Sequence, residues 1–304
     1  MSILLALQVA AAQGLLWGVM TLGAYISYKI LDFPDLSVDG TYALGGAVCA
    51  VLIVNGWNPV LSMFVAMLAG MLGGLATALL HTKMKMTGLL AGILVMLGLY
   101  SINLRIMGKS NTSLLNANTI NALLKRVIPA SNEVLSIISG AVICALLIAL
   151  LYWFFGTEVG CALRASGNNK NMARAMGVNT DQMVVLGLVL SNGLVGLSGA
   201  LFAQYQGFAD VGMGTGTMVM GLASIIIGEV IFRFMRRSFA LRMLSAVFGT
   251  VVYRVIIGIV LQLGIMDAND MKLASAIIVV LVFALSMLLD KVRAAKGGQQ
   301  NVKP

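Results

Sequence analysis

Across 304 residues, 60% are hydrophobic and only 10% charged, and the mean hydropathy is +0.97. That balance excludes an ordinary water-soluble domain and places the chain in a lipid bilayer. A net charge of +9 would point to nucleic acid in a soluble protein; here the position of the basic residues matters more than their total.

A helix needs about 20 apolar residues to cross the hydrocarbon layer. Such runs fall at about 3–28, 41–55, 59–80, 87–107, 134–155, 182–205, 217–234, 243–264 and 273–289. They predict an all-α polytopic membrane protein of nine transmembrane helices, with residues 1–290 as one transmembrane domain and 291–304 as a basic cytoplasmic tail. Met1 to Gly14 looks like a signal-peptide core but lacks a basic start, and its apolar run continues past any cleavage site, so it is expected as a retained span. With the N-terminus outside, fourteen of the twenty basic residues, including Lys29, Lys83, Lys85, Arg236, Arg237 and Arg242, face the cytoplasm. The positive-inside rule selects that orientation. The second run is short and follows Asp32, Asp35 and Asp39, which keeps open eight full spans plus a re-entrant 31–55.

In chain order, the first feature is FPDLSVDGTY. Pro34 stops the preceding structure, and Ser37 or Asp39 is expected to cap a helix beginning near Thr41. Glycine pairs four apart (Gly14 and Gly18, Gly70 and Gly74, Gly88 and Gly92) predict close helix packing. His81, beside Lys83 and Lys85, reads as an interfacial anchor. The longest outer loop, Asn111 to Asn132, predicts a short flat helix with Thr119 as its cap, carrying Leu115, Ile120, Leu123, Leu124 and Val127 on one face.

The polar island GTEVGCALRASGNNKNMARAMGVNTD, Gly156 to Asp181, separates two very hydrophobic runs. Asn168 and Asn169 are good caps, Lys170 to Met176 favours helix, Gly177 suits a left-handed stop, and Thr180 and Asp181 can start the next span. A short helix pinned at both ends by spans can transmit movement to the bilayer. Farther on, FADVGMGTGT is a second glycine-rich break, with Thr215 or Thr217 as the expected cap. GTYALGGA (Gly40–Ala47) recurs as GTMVMGLA (Gly216–Ala223), and Gln13-Gly14-Leu15 recurs as Asn192-Gly193-Leu194, at offsets of 176 and 179. With an odd span between the halves, this predicts an inverted-topology repeat.

Ionisable groups within spans are functional candidates. Glu229 is expected to pair with Arg233 one turn on, and Arg254 to serve either a structural ion pair or the substrate path. Cys49, Cys144 and Cys161 read as small apolar fillers without metal-ligand spacing. Gly108-Lys109-Ser110 imitates the tail of a phosphate-binding loop, but Asn103 stands where its first glycine belongs. No paired-carboxylate site or nucleophile-and-base pair is present, so the chain is not expected to be an enzyme.

Gly160, Arg164, Gly167, Asn168, Ala173, Arg174, Gly177 and Asn179 resemble the coupling-helix signature of permease subunits of ATP-binding-cassette importers, most closely the branched-chain amino acid and simple sugar family. The similarity runs from about Gln8 to Leu289. It implies a coupling helix in which Arg164, Gly167, Asn168, Asn169, Lys170, Met172, Ala173, Arg174 and Gly177 meet an ATPase. ATP and Mg would then be held by that partner, with no cofactor or metal in this chain. It further implies two ATPase copies, a second and identical permease, an extracytoplasmic solute-binding protein and the bacterial cytoplasmic membrane. Segments equivalent to the two breaks line the family's pathway, which assigns Asp35, Ser37, Asp39, Gly40, Thr41, Gly216 and Thr217 to it; Arg254 joins them as a candidate on its mid-span position alone. FPDLSVDGTY resembles the branch that works with binding lipoproteins for aromatic amino acids. An ion-coupled secondary transporter acting alone is the rival reading.

Overall fold

A computed structural model describes residues 3–115, 117–125, 129, 131–232, 238–262, 273–281 and 284. Its helices are α1 (Ile3–Ala24, continued by a π-helical turn Tyr25–Ile30), α2 (Ser37–Val54), α3 (Pro59–Thr82), α4 (Gly88–Met107), α5 (Ile120–Lys125), α6 (Asn132–Gly156), α7 (Glu158–Asn168), α8 (Lys170–Ala175), α9 (Thr180–Gln206), α10 (Thr217–Ile231) and α11 (Phe239–Gln262). Two short strands, β1 (Asn111–Ser113) and β2 (Phe208–Asp210), pair antiparallel, with Asn111 opposite Asp210.

Seven of these helices are long and apolar enough to cross a membrane. The seventh predicted span appears as the shorter α10, whose 15 residues begin at Thr217 after a non-helical entry. Residues 273–281 are helical where the ninth was expected, and most of that run's second half, with the basic tail, lies outside the described residues.

The bundle is organised around α9, which packs on α1, α2 and α3, while α11 closes against α1 and α10. Lipid supplies no hydrophobic drive between helices, so close backbone approach has to do that work. The predicted glycine pairs are placed for it. A Cβ at Gly14 or Gly18 would strike Val251 or Val247 of α11, one at Gly70 or Gly74 would strike the α9 backbone, and one at Gly88 or Gly92 would strike the 33–37 segment. Hydroxyls on these faces satisfy themselves across helices: Ser191 donates to the Gly23 carbonyl and Ser198 to that of Leu16, both at 2.8 Å.

The two ends differ. At the β1–β2 end, the paired strands cover the bundle and α5 lies beside them, with Thr119 capping it as expected and the Ile120 amide donating to Gln204 Oε1 at 2.9 Å. Leu115 stands outside that helix and exposed. At the opposite end, α7 and α8 connect α6 to α9, and Phe155 stacks on Phe239 at the start of α11. His81 anchors this end, its Nδ1 2.7 Å from the Met86 carbonyl and its ring edge-on to Phe33.

Candidate functional site

The polar island folds as two helices rather than one. Thr157 caps α7 by accepting from the Gly160 amide, and the chain then breaks at Asn169, whose extended backbone lets its side chain cap α8 by accepting from the Met172 amide at 3.0 Å. Gly177, at φ +85°, turns the chain out of α8 as its lack of a Cβ predicts. The next cap differs from the expectation: Asn179, not Thr180 or Asp181, accepts from the Gln182 amide. Thr180 and Asp181 instead hold Arg174, whose Nε donates to Thr180 Oγ1 at 2.7 Å and whose Nη2 lies 3.0 Å from Asp181 Oδ1. These bonds fix α8 to the first turn of α9.

Gly167 and Ala173 face inward. A Cβ on Gly167 would overlap the Ile30 carbonyl at the end of the π-helical turn, and Ala173 is buried. Arg164 reaches Phe239 of α11 by a cation–π contact at 5.6 Å. The outward face carries Asn168, Asn169 and Lys170 with Met172 and Met176, the two methionines 65% and 76% exposed. These two bare methionines, one on α8 and one at its C-cap, form an apolar contact surface that water covers poorly. From Ile30 the contact continues inward: Lys29 Nζ pairs with Glu229 Oε1 of α10 at 3.1 Å, and Leu31 packs against Gly187 of α9. Lys29 therefore holds Glu229 from a distant helix, and the expected partner Arg233 lies outside the described residues.

The first break is built differently from its sequence reading. α2 starts at Ser37, not near Thr41, because the Asp35 carboxylate accepts from the Ser37 amide at 2.9 Å and so takes the capping role expected of Ser37 or Asp39. Its other oxygen accepts from Asn192 Nδ2 of α9 at 2.7 Å, and Ser37 Oγ lies 3.4 Å from Asn192 Oδ1. Asp35, Ser37 and Asn192 are all fully buried, a closed polar network that ties α2 to α9. Thr41 is buried against Gly73.

Asp39 is thereby free to serve another helix. Its carboxylate accepts from the Gly216 amide (2.8 Å), the Thr217 hydroxyl (2.9 Å) and the Met218 amide (2.8 Å). It therefore caps α10, where Thr215 or Thr217 was expected, and it does so from 177 residues away. Gly216, left-handed at φ +82°, occupies the cap position, and Gly214 lets the turn lie directly on the Asp39 carbonyl. The first turn of α2, Ser37 to Gly40, thus meets the start of α10 at Gly216-Thr217. Beside them Asp39, Gly40, Asn103 and Thr215 contribute to a cavity between α2, α4 and the 211–216 turn.

Arg254 stands apart from both breaks. Its guanidinium stacks on Trp17 at 3.8 Å from the ring centroid, with Phe202 at 5.9 Å, and Nη1 donates to Gln13 Oε1 at 3.4 Å. It joins α11 to α1 and α9 and makes no ion pair with Glu229. Sequence reasoning missed Asn103 and Asn192 as site residues. Each is an amide side chain in an otherwise apolar run, the one signal available.

A bundle of apolar spans with polar helix breaks at depth and a stiff helical loop at one end is the construction of a membrane transport component. The chain belongs to the family described as branched-chain amino acid transport system / permease component, whose model matches residues 7–287. It is 41% identical over 286 residues to the tyrosine transport system permease protein of Clostridioides difficile, covering 93% of this chain and 92% of that one. It is 28% identical over 203 residues to a probable branched-chain amino acid transport permease of Methanocaldococcus jannaschii (62% of each chain) and 30% identical over 205 residues to the D-allose transport system permease of Escherichia coli (65% and 59%). No solved structure matches the chain.

Proposed function

We propose that this chain is the pathway-forming subunit of an ATP-driven importer for an amino acid of the tyrosine type, powered by a separate ATPase that docks on α7 and α8. The observation that carries the reading is the pinned loop: capped at each start, bonded to α9 through Arg174, seated on the end of α1 through Gly167, and bare on the face carrying Met172 and Met176. Force applied to that face reaches α1 through Ile30, α10 through Lys29 and Glu229, and α9 through Leu31. The substrate assignment is supported by the permease from C. difficile, which matches nearly end to end.

On this reading α7 and α8 are cytoplasmic and the β1–β2 strand pair faces outward, where a solute-binding protein delivers substrate. Nine spans in two inverted halves, used as a pair of identical subunits with two ATPase copies in a bacterial cytoplasmic membrane, complete the assembly. ATP and Mg belong to the ATPase. Nucleotide-driven closure of the ATPases then shifts the permease pair between access states. Asp39, Gly40, Gly216 and Thr217 stand on the pathway, with Asp35 and Ser37 behind them as its support.

The test is affinity purification from native membranes followed by reconstitution. The expected result is co-purification of an ATPase and ATP-dependent uptake of L-tyrosine. Uptake by the chain alone, driven by an ion gradient without ATPase, would establish the secondary-transporter reading instead.

A further inference from the structure

The cavity beside Asp39 has a volume of about 150 Å³ and lies between the first turn of α2, the half of α4 toward the β1–β2 end, and the 211–216 turn. Both polar side chains that distinguish it are hydrogen-bond acceptors with spare capacity. Asn103 is fully buried; its Nδ2 donates to the Gly40 carbonyl at 3.3 Å, which fixes the orientation of the amide and leaves Oδ1 with no donor. On Asp39, Oδ1 accepts two bonds and Oδ2 only one, from the Gly216 amide. No basic residue is among those lining the cavity. The remaining wall is Gly40, Met96, Leu97, Val211, the exposed Tyr100, and Thr215, whose hydroxyl donates to the Gly212 carbonyl. A carboxylate and an orphaned amide oxygen between membrane-spanning helices cannot open onto lipid tails, so the cavity faces water or another subunit.

A group that fits must bring donors and no acceptors. An ammonium has three donors and a positive charge, satisfies Asn103 Oδ1 and Asp39 Oδ2 together, and gains from the face of Tyr100. A carboxylate would face the like charge of Asp39 and leave Asn103 Oδ1 without a donor. We propose that this cavity is a station on the translocation path that takes the protonated amino group of the substrate, with Asn103 Oδ1 and Asp39 as its acceptors. The proposal rests on the reading of the chain as an amino-acid permease and adds the chemical group by which the membrane subunit itself recognises its cargo.

The experiment uses the purified complex of permease and ATPase, with Cys161→Ala to remove the exposed thiol; Cys49 and Cys144 are buried. Leu97→Cys places a reactive thiol at the cavity rim, and its rate of labelling by a small methanethiosulfonate is followed. Three probes are added separately: L-tyrosine, tyramine, which has the amine but no carboxylate, and 3-(4-hydroxyphenyl)propionate, which has the carboxylate but no amine. At about ten times the half-protecting concentration, L-tyrosine and tyramine should each slow labelling roughly tenfold, and the acid should leave it unchanged. Asn103→Leu should abolish that protection while the rate without ligand stays the same. Equal protection by the acid, or protection by none of the three, overturns the proposal, and those arms need no variant at Asn103. ATP-driven uptake of L-tyrosine by the complex with Leu97 intact is measured alongside. Tyramine protection without tyrosine uptake refutes the tyrosine reading and keeps the ammonium site, whereas uptake without protection refutes the site and keeps the permease.

Discussion

Asn169 and Asp39 do the same chemical job in two places, and the contrast between them explains how the molecule is divided. Each accepts hydrogen bonds from the free amides at a helix start. Asn169 serves the helix it begins, three residues on, at an exposed end where water covers whatever the cap leaves. Asp39 serves a helix from the other half of the chain, part-buried between α2 and α10. A local cap makes an independent, stiff unit. A distant cap makes two halves depend on one carboxylate, so the loop can act as a lever and the break as its fulcrum.

Three substitutions sharpen that contrast. Asp39→Ala strands the Gly216 and Met218 amides, each worth about 1–3 kcal/mol when left unsatisfied, while the Thr217 hydroxyl keeps the Gly214 carbonyl, and it should have the largest effect. The expected outcome is loss of a stable monodisperse protein in detergent, read by thermal unfolding, with Asp39→Asn intermediate. Gly167→Leu drives a side chain into the Ile30 carbonyl; overpacking of this kind costs about 1–3 kcal/mol, and uptake should fall to background while the protein still inserts in the membrane. Lys29→Met removes a half-exposed ion pair to Glu229 worth at most about 1 kcal/mol. It should leave the unfolding temperature nearly unchanged and lower uptake modestly. An Asp39→Ala protein as stable as the parent would erase the distinction between local and distant caps.

Much of this was legible in the sequence wherever the determining contact is local. The apolar runs located the long helices to within a few residues, Asn169 and Gly177 bounded α8, and the glycine pairs marked faces that do meet other helices. The order of events in FPDLSVDGTY was not legible. Asp35, Ser37 and Asp39 are all competent caps, and only the position of Asn192 and of the Gly216 turn decides that Asp35 starts α2 and Asp39 leaves for α10. Glu229 also pairs with Lys29 from the end of α1, a partner that no local spacing announces. Asn179 displaced Thr180 and Asp181 as the cap of α9 because Arg174 already occupies them. The β1–β2 pairing joins segments nearly a hundred residues apart and has no periodic signal in strands of three residues.

The central claim is that the exposed face of α8 receives the ATPase, and cross-linking tests it most directly. With Cys161→Ala as background, Met172→Cys or Met176→Cys is treated with a short bifunctional thiol reagent in native membranes. The account predicts a covalent adduct with a nucleotide-binding subunit, formed at a rate that changes when ATP is added. Free labelling of both thiols from the exterior of intact cells, with no adduct under any nucleotide condition, would contradict it.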